Sequence, residues 1–344
     1  MTTKKAKVLL IGSGGVGTMA AVNLEAGGLA SVTAVLRSNF EKVNKDGFTI
    51  RSCDHGVLEG WKPSEVVNHI PKAAEQQIPY DFIVCTTKNI PDIPPALPIQ
   101  VAPAITPGHT VIVLIQNGLN IEKPFFQILP NNIVLSGVSM IGSNELGHGN
   151  IEHEFPDELI VGAFRNPKLD PVAEDAAAKL FVELYSAAGK TACTYNENVG
   201  YVRWRKLIYN ACLNPICAIT NLDSGRIRLS DDSIEMLVRP AMEEIRAAAK
   251  AMGHDIPEET VDNTIEVDPL RLYLAPSMLA DVRKGNFIEH ENLVGEPLKE
   301  GLAKGVPMPT LKVLYALCKA FQWRTKEAKG IFVLPPKEEP SSAS

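Results

Sequence analysis

Lys206, Asn210 and Asn214 recur every four residues within Trp204-Arg-Lys-Leu-Ile-Tyr-Asn-Ala-Cys-Leu-Asn-Pro215. At ~100° per residue each step drifts by about 40°, so the spacing predicts one helix stripe bearing an amine and two carboxamides. Trp204, Leu207, Ile208, Ala211, Cys212 and Leu213 surround that stripe. Such neighbours predict a largely buried helix whose polar groups need partners or a ligand. Pro215 leaves the Ala211 carbonyl without its helical donor and predicts a kink. Taken alone, the stripe is either a structural hydrogen-bond network or a substrate site. As a substrate site it suits carbonyl reduction. Hydride addition to a ketone creates an alkoxide, which a lysine can protonate and stabilise while an asparagine polarises the carbonyl.

A second constellation lies near the N-terminus. Lys7-Val-Leu-Leu-Ile11 reads as a buried strand that runs straight into Gly12-Ser13-Gly14-Gly15-Val16-Gly17. A helix over Thr18 to Gly28 and a strand over Ser31 to Leu36 complete a βαβ unit. In that setting Gly12 makes the tight turn, Gly14 admits a pyrophosphate and Gly17 lets the helix pack closely. The backbone N–H groups from Ser13 through Gly15 and Val16 would then face the phosphates. At the end of the second strand, where an NAD site carries a carboxylate, the chain reads Leu36-Arg37-Ser38. Arg37 suits a 2′-phosphate, which favours NADPH over NADH. Lys88 follows a strand at Asp81 to Cys85, and Gln116-Asn117-Gly118 follows another at Val111 to Ile115. Each alone is a turn residue or a ligand, but both point at one crevice.

The elements that must position these groups follow from texture. Strands and helices alternate up to about residue 197, as in a doubly wound parallel sheet. Ile133-Val-Leu, Ile151 to Phe155 and Leu159 to Gly162 predict an antiparallel extension of that sheet, closed by a helix over Pro171 to Ala188 and a strand near Thr191. Beyond Asn198 come five long helical patterns: Tyr201 to Asn214, Ser233 to Met252, Pro257 to Ala280, Glu291 to Lys304 and Pro309 to Phe321. The fold class expected is therefore α/β, a Rossmann-like doubly wound sheet followed by an all-helical domain. The domains expected are 1–197 for NADP, 198–330 for substrate and dimerisation, and a disordered tail over 331–344.

Composition excludes other classes. The 344 residues carry 34 Lys and Arg against 40 Asp and Glu, a net charge of −6. That gives no attraction to phosphate backbones or anionic lipid, so nucleic acid and membrane are not expected partners. The apolar runs are strand-sized, and no signal h-region precedes the first strand, which makes cytoplasmic residence the default. The six cysteines lack C-x-x-C spacing and read as reduced thiols. His148 and His153 read as solvated loop histidines without a cysteine partner, so no metal is expected.

Gly12 to Gly17, Arg37, Lys88, Asn117-Gly118 and Trp204-x-Lys206-Leu-x-x-Asn210-x-x-x-Asn214-Pro together resemble the ketopantoate reductase (2-dehydropantoate 2-reductase) family, over nearly the whole chain to about residue 325. The resemblance implies that Lys206 is the general acid and that Asn210 and Asn214 bind substrate. It also implies that Arg37, Lys88 and Asn117 contact NADPH, with Asn117 near substrate as well. Glu244 resembles the family carboxylate that supports the lysine. Ser277 resembles the serine that binds the substrate carboxylate, and Glu289 the glutamate near the nicotinamide ribose. Without the family, Glu244 and Glu289 are exposed helix charges and Ser277 is an ordinary polar position. Asp223-Ser224-Gly225 departs from the family's Asn-Gly, which bears on a substrate-hydroxyl contact.

The activity this implies is NADPH-dependent reduction of 2-dehydropantoate to (R)-pantoate, on the route to pantothenate and coenzyme A. The partners expected are a small 2-oxo acid and a second copy of the chain. Two alternatives stand beside it: a reductase of another 2-oxo acid with the same lysine, and a non-catalytic NADP(H) sensor.

Overall fold

Val8, Leu9 and Leu10 have no accessible surface, and they alternate between two separate cores. Val8 and Leu10 face one cluster while Leu9 and Ile11 face the other, as a strand covered on both sides requires. Each such leucine contributes roughly 1.5–3 kcal/mol by leaving water. The computed structural model that shows this describes residues 4–335 and residue 337. The chain divides into two compact units, Met1–Trp204 and Arg205–Ser344. The division falls inside a helix, whereas the change of sequence texture lies at 197/198.

The first unit opens with β1 (Ala6–Ile11), α1 (Gly15–Ala26) and β2 (Ala30–Val35), the expected βαβ motif. There follow α2 (Phe40–Asp46), β3 (Phe48–Ser52), β4 (Gly56–Trp61), β5 (Glu65–Val67) and β6 (Phe82–Cys85). Next come α3 (Leu97–Val101), β7 (Val111–Leu114), α4 (Lys123–Ile128), β8 (Val134–Ser139), β9 (Gly142–Gly147) and β10 (Asn150–Phe155). The series ends with β11 (Glu158–Phe164), α5 (Pro171–Ser186) and β12 (Ala192–Tyr195). Eight strands form one sheet in the order β12-β11-β8-β7-β6-β1-β2-β5. From β5 to β8 all neighbours are parallel, and the chain reverses sides at β1, between β2 and β6. Ligands bind at such a switch point, outside the carboxyl ends of the strands.

The expected antiparallel extension is corrected in two respects. β8 joins β7 in parallel, and β11 is the strand that runs antiparallel to β8. Ile151 to Phe155 leaves the main sheet altogether. As β10 it belongs to a second, four-stranded sheet in the order β4-β3-β10-β9. This small sheet packs against the start of α1, where a Cβ at Gly15 would lie 2.3 Å from the Ser143 carbonyl oxygen.

α6 (Val199–Asn210) crosses the division, and the second unit continues with α7 (Leu213–Thr220), α8 (Ser224–Leu229), α9 (Arg239–Ala251) and α10 (Glu259–Glu266). It closes with α11 (Ser277–Arg283), α12 (Glu296–Ala303) and α13 (Pro309–Ala328). No strand occurs in it among the described residues. Proline breaks most of the long patterns. The stretch from Pro257 to Ala280 becomes α10, a 3-10 turn at Leu270–Leu272 and α11, interrupted at Pro269 and Pro276. π turns at Ile234–Val238 and Glu291–Gly295 precede α9 and α12, each just ahead of Pro240 or Pro297, whose missing N–H removes a regular rung.

Residues 336 and 338–344 of the expected tail lie outside the described residues, while Phe332 stacks on Trp323 at 5.9 Å. Among the described residues no helix is long and apolar enough to cross a membrane.

Candidate active site

β2, β1, β6 and β7 lie side by side and parallel, so four groups expected to touch a dinucleotide leave one edge of the sheet in a row. Arg37 follows β2 and is exposed; the glycine-rich turn follows β1; exposed Lys88 follows β6; half-buried Asn117 follows β7.

The glycines perform distinct tasks. Gly12 has φ +101°, and a Cβ there would stand 2.8 Å from Thr87. A Cβ at Gly17 would come within 1.8 Å of the Gly12 carbonyl oxygen, so only glycine lets α1 press onto the end of β1. Around Gly14 there is open space, and as N-cap it offers no side chain to the first-turn N–H groups of α1. Beside it the buried Ser13 hydroxyl has no hydrogen-bond partner among the described residues. Free donors at a helix N-terminus, an orphaned hydroxyl and room for a larger group fit a pyrophosphate. Thr86 ties the turn down by donating to the Gly12 carbonyl.

Two buried residues that support this edge escaped the sequence reading. Asn39 donates to the Ser13 carbonyl and to Glu145 Oε1, both at 3.0 Å, joining the turn to β9. Arg203 lies within α6 and is 5 % exposed. Its Nη1 donates to the carbonyls of Gln116 (3.0 Å) and Gly118 (2.8 Å), its Nη2 to Leu114 O (3.3 Å), and its Nε to Ser136 Oγ (2.7 Å). Burial pulls the guanidinium down to about 10, against the opposing pull of Glu122. Arg203 thus holds the backbone on either side of Asn117. The one signal in sequence was a cation among the apolar residues of the Trp204 helix.

In the second unit the expected single stripe is corrected. The helix ends at Asn210 and restarts at Leu213, so Asn214 sits on α7, not on α6 with Lys206. The break at Ala211 and Cys212 lies where the Pro215 ring would meet the Ala211 carbonyl. The two carboxamides nonetheless meet, because Asn214 Nδ2 donates to Asn210 Oδ1 at 3.2 Å. Asn214 Oδ1 accepts from the Met278 N–H at 3.2 Å, which brings the α11 start, and hence exposed Ser277, beside it. Lys206 is half-buried, one turn before Asn210.

Glu244 is a half-buried residue, not the exposed charge read from sequence without the family, and its oxygens accept from the Thr310 (2.9 Å) and Leu311 (2.8 Å) N–H groups, capping α13. Glu289 is likewise not an exposed charge, being 4 % exposed. Ser224 is buried and donates to the Leu274 carbonyl at 3.2 Å, so the departure from Asn-Gly is absorbed inside the fold. Tyr209, also unanticipated, donates to Asp268 Oδ2 at 2.5 Å, and burial beside that carboxylate holds its phenol well above the usual value.

A family model described as ketopantoate reductase PanE/ApbA matches residues 8–166, and one for the C-terminal part of the same family matches residues 198–322. The uncharacterized protein YDL144C of Saccharomyces cerevisiae is 36% identical over 354 residues, covering 96% of this chain and 98% of the relative. Among solved structures, a 2-dehydropantoate 2-reductase from Methylococcus capsulatus is 30% identical with a TM-score of 0.77, covering 93% of this chain and 97% of that one. A D-mandelate dehydrogenase solved with NADH and anilino(oxo)acetate shares the fold, with a TM-score of 0.77, 19% identity and coverage of 93% and 99%.

Replacing Arg203 by leucine strands several buried carbonyls. Arg203→Leu is expected to cost about 2–4 kcal/mol, read as a lower denaturation midpoint, and to raise the Michaelis constant for dinucleotide. An unchanged midpoint would show that the guanidinium does not organise the Asn117 turn.

Proposed function

Since the chain belongs to the ketopantoate reductase family, a family of oxidoreductases, we propose that it reduces 2-dehydropantoate to (R)-pantoate with NADPH, in pantothenate and coenzyme A biosynthesis. The observation that carries this reading is the row of Arg37, the glycine turn, Lys88 and Asn117 on four adjacent strand ends, in a chain whose second unit places Asn210 one turn after Lys206 and joins it to Asn214, which in turn accepts from the residue after Ser277.

In this proposal Gly12 to Gly17, with Ser13, Gly15 and Val16, hold the pyrophosphate. Arg37 pairs with the 2′-phosphate; Lys88, Asn117 and Glu289 contact the rest of the nucleotide. When bound, the nicotinamide supplies the hydride for C2 of the oxo acid. Lys206 donates the proton to the developing alkoxide, and its charge stabilises that oxygen before transfer. Asn117, Asn210 and Asn214 orient the oxo and hydroxyl groups, and Ser277 takes the carboxylate. Glu244 is the carboxylate that supports Lys206, and through its two backbone contacts it also fixes α13 against α9. Assembly as a homodimer through residues 198–330, with 1–197 carrying NADP, belongs to the same reading.

A second reading, reduction of a different 2-oxo acid, is favoured by one observation. Ser224 is engaged with Leu274 and is not available where the family places Asn-Gly for a substrate hydroxyl.

Lys206→Ala is expected to lower turnover by at least ~10²-fold while dinucleotide binding stays nearly intact, because only the proton donor is removed. Near-normal turnover would refute the assignment. Arg37→Ala is expected to raise the Michaelis constant for NADPH more than that for NADH, and equal effects on the two would remove the case for phosphate recognition.

A further inference from the structure

The small sheet brings together three ligating side chains, two adjacent in sequence and the third about a hundred residues further on. His153 on β10 pairs in register with Ser52 on β3, and the Cys53 N–H donates to the His153 carbonyl at 3.0 Å. The turn between β3 and β4 therefore folds back over the imidazole. Cys53 Sγ lies 3.8 Å from His153 Nε2, Asp54 Oδ2 lies 3.7 Å from the same nitrogen, and Cys53 Sγ lies 3.7 Å from Asp54 Oδ1. His153 is thus neither solvated nor without a cysteine partner, which corrects the reading from sequence: it is 2 % exposed and faces a thiol.

From Cys53, Asp54 and His153 we infer a binding site for a divalent transition metal of the Zn2+ type. A tetrahedral Zn2+, with bonds of about 2.3 Å to sulfur and about 2.0–2.2 Å to nitrogen and oxygen, spaces its donors by roughly 3.4–3.6 Å. With one donor atom from each residue the three lie within 4.8 Å of one another, and Cys53 Sγ and His153 Nε2 already stand at 3.8 Å, so rotation of the Asp54 carboxylate closes the site. Sulfur, imidazole and carboxylate together select Zn2+ or its neighbours over Ca2+ and Mg2+. A thiolate and a carboxylate also neutralise the two charges of the ion. Cys53 is exposed, which gives ions a path in and leaves solvent to complete the coordination.

The surroundings are built to hold these ligands. Ser52 Oγ lies 2.8 Å from His153 Nδ1 and fixes the ring, and Asp54 Oδ2 accepts from the Asp157 N–H at 3.0 Å. Behind them Asp157 Oδ2 accepts from Asn23 Nδ2 and Tyr185 Oη, both at 2.7 Å. Asp157 Oδ1 is buried with no hydrogen-bond partner among the described residues. Binding displaces the Cys53 thiol proton to solvent and requires the imidazole proton on Nδ1. Ser52 Oγ, which already accepts from the N–H groups of Asp54 (3.1 Å) and His55 (3.0 Å), then exchanges one of these bonds for the ring N–H. The bound ion would clip the β3–β4 turn to β10.

Titration of the chelator-treated full-length protein with Co2+ tests the site without reference to turnover. The other five cysteines are buried, so a thiolate signal reports on Cys53. One equivalent of Co2+ is expected to produce thiolate-to-cobalt charge transfer in the near ultraviolet and the intense visible bands of four-coordinate cobalt, both removed by Zn2+. Cys53→Ala, an exposed change that keeps the circular dichroism spectrum, is expected to abolish the charge-transfer band, and Asp54→Asn to weaken affinity at least ~10-fold. Absence of the band in the unaltered protein, or its persistence in Cys53→Ala, would overturn the proposal.

Discussion

The first unit depends on one backbone approach, that of Gly17 to the carbonyl of Gly12. Because no side chain separates them, α1 begins directly over the end of β1 and directs its free N–H groups across the carboxyl edge of the sheet. The strand order then decides what stands along that edge. With β2 on one side of β1 and β6 and β7 on the other, groups from four loops share one row although 80 residues separate Arg37 from Asn117 in sequence. Had the strands been ordered as in a meander, the same residues would have been scattered.

Both units hold their polar side chains by backbone hydrogen bonds in places where apolar packing alone would leave a loop free to shift. Arg203 spends its donors on main-chain carbonyls and one hydroxyl, with a desolvation cost visible in its lowered affinity for the proton. Asn214 does the same on a smaller scale by accepting from Met278. Buried polar networks of this kind add less to net stability than apolar residues of equal volume, and they fix the position of what they touch. In the first unit this fixes the backbone behind Asn117, and in the second, separately, the backbone beside Ser277.

How much of this was legible varied with the physical signal. β1, α1 and β2 were readable because apolar runs, glycines and helix formers agree over thirty residues. β4 and β9 were not, since a largely exposed strand such as Gly56–Trp61 shows no apolar alternation, whereas β3 was missed although Phe48 and Ile50 alternate with polar residues. The break after Asn210 was foreshadowed by Pro215, but a kink and a full stop have the same signature in sequence. Arg203 was invisible in role because its partners are carbonyls, which every residue has. The meeting of Cys53 with His153 arises from parallel pairing of strands about 100 residues apart, and no local pattern announces such a contact.

The central claim is that the strand-edge row and the lysine helix serve reduction of one branched 2-oxo acid by a phosphorylated nicotinamide cofactor. Initial rates of cofactor oxidation with 2-dehydropantoate and a panel of aliphatic and aromatic 2-oxo acids, each with NADPH and with NADH, test it most directly. Rapid turnover confined to 2-dehydropantoate with NADPH is the result expected. A preference for another oxo acid or for NADH, or tight NADPH binding without turnover of any acid, would contradict it.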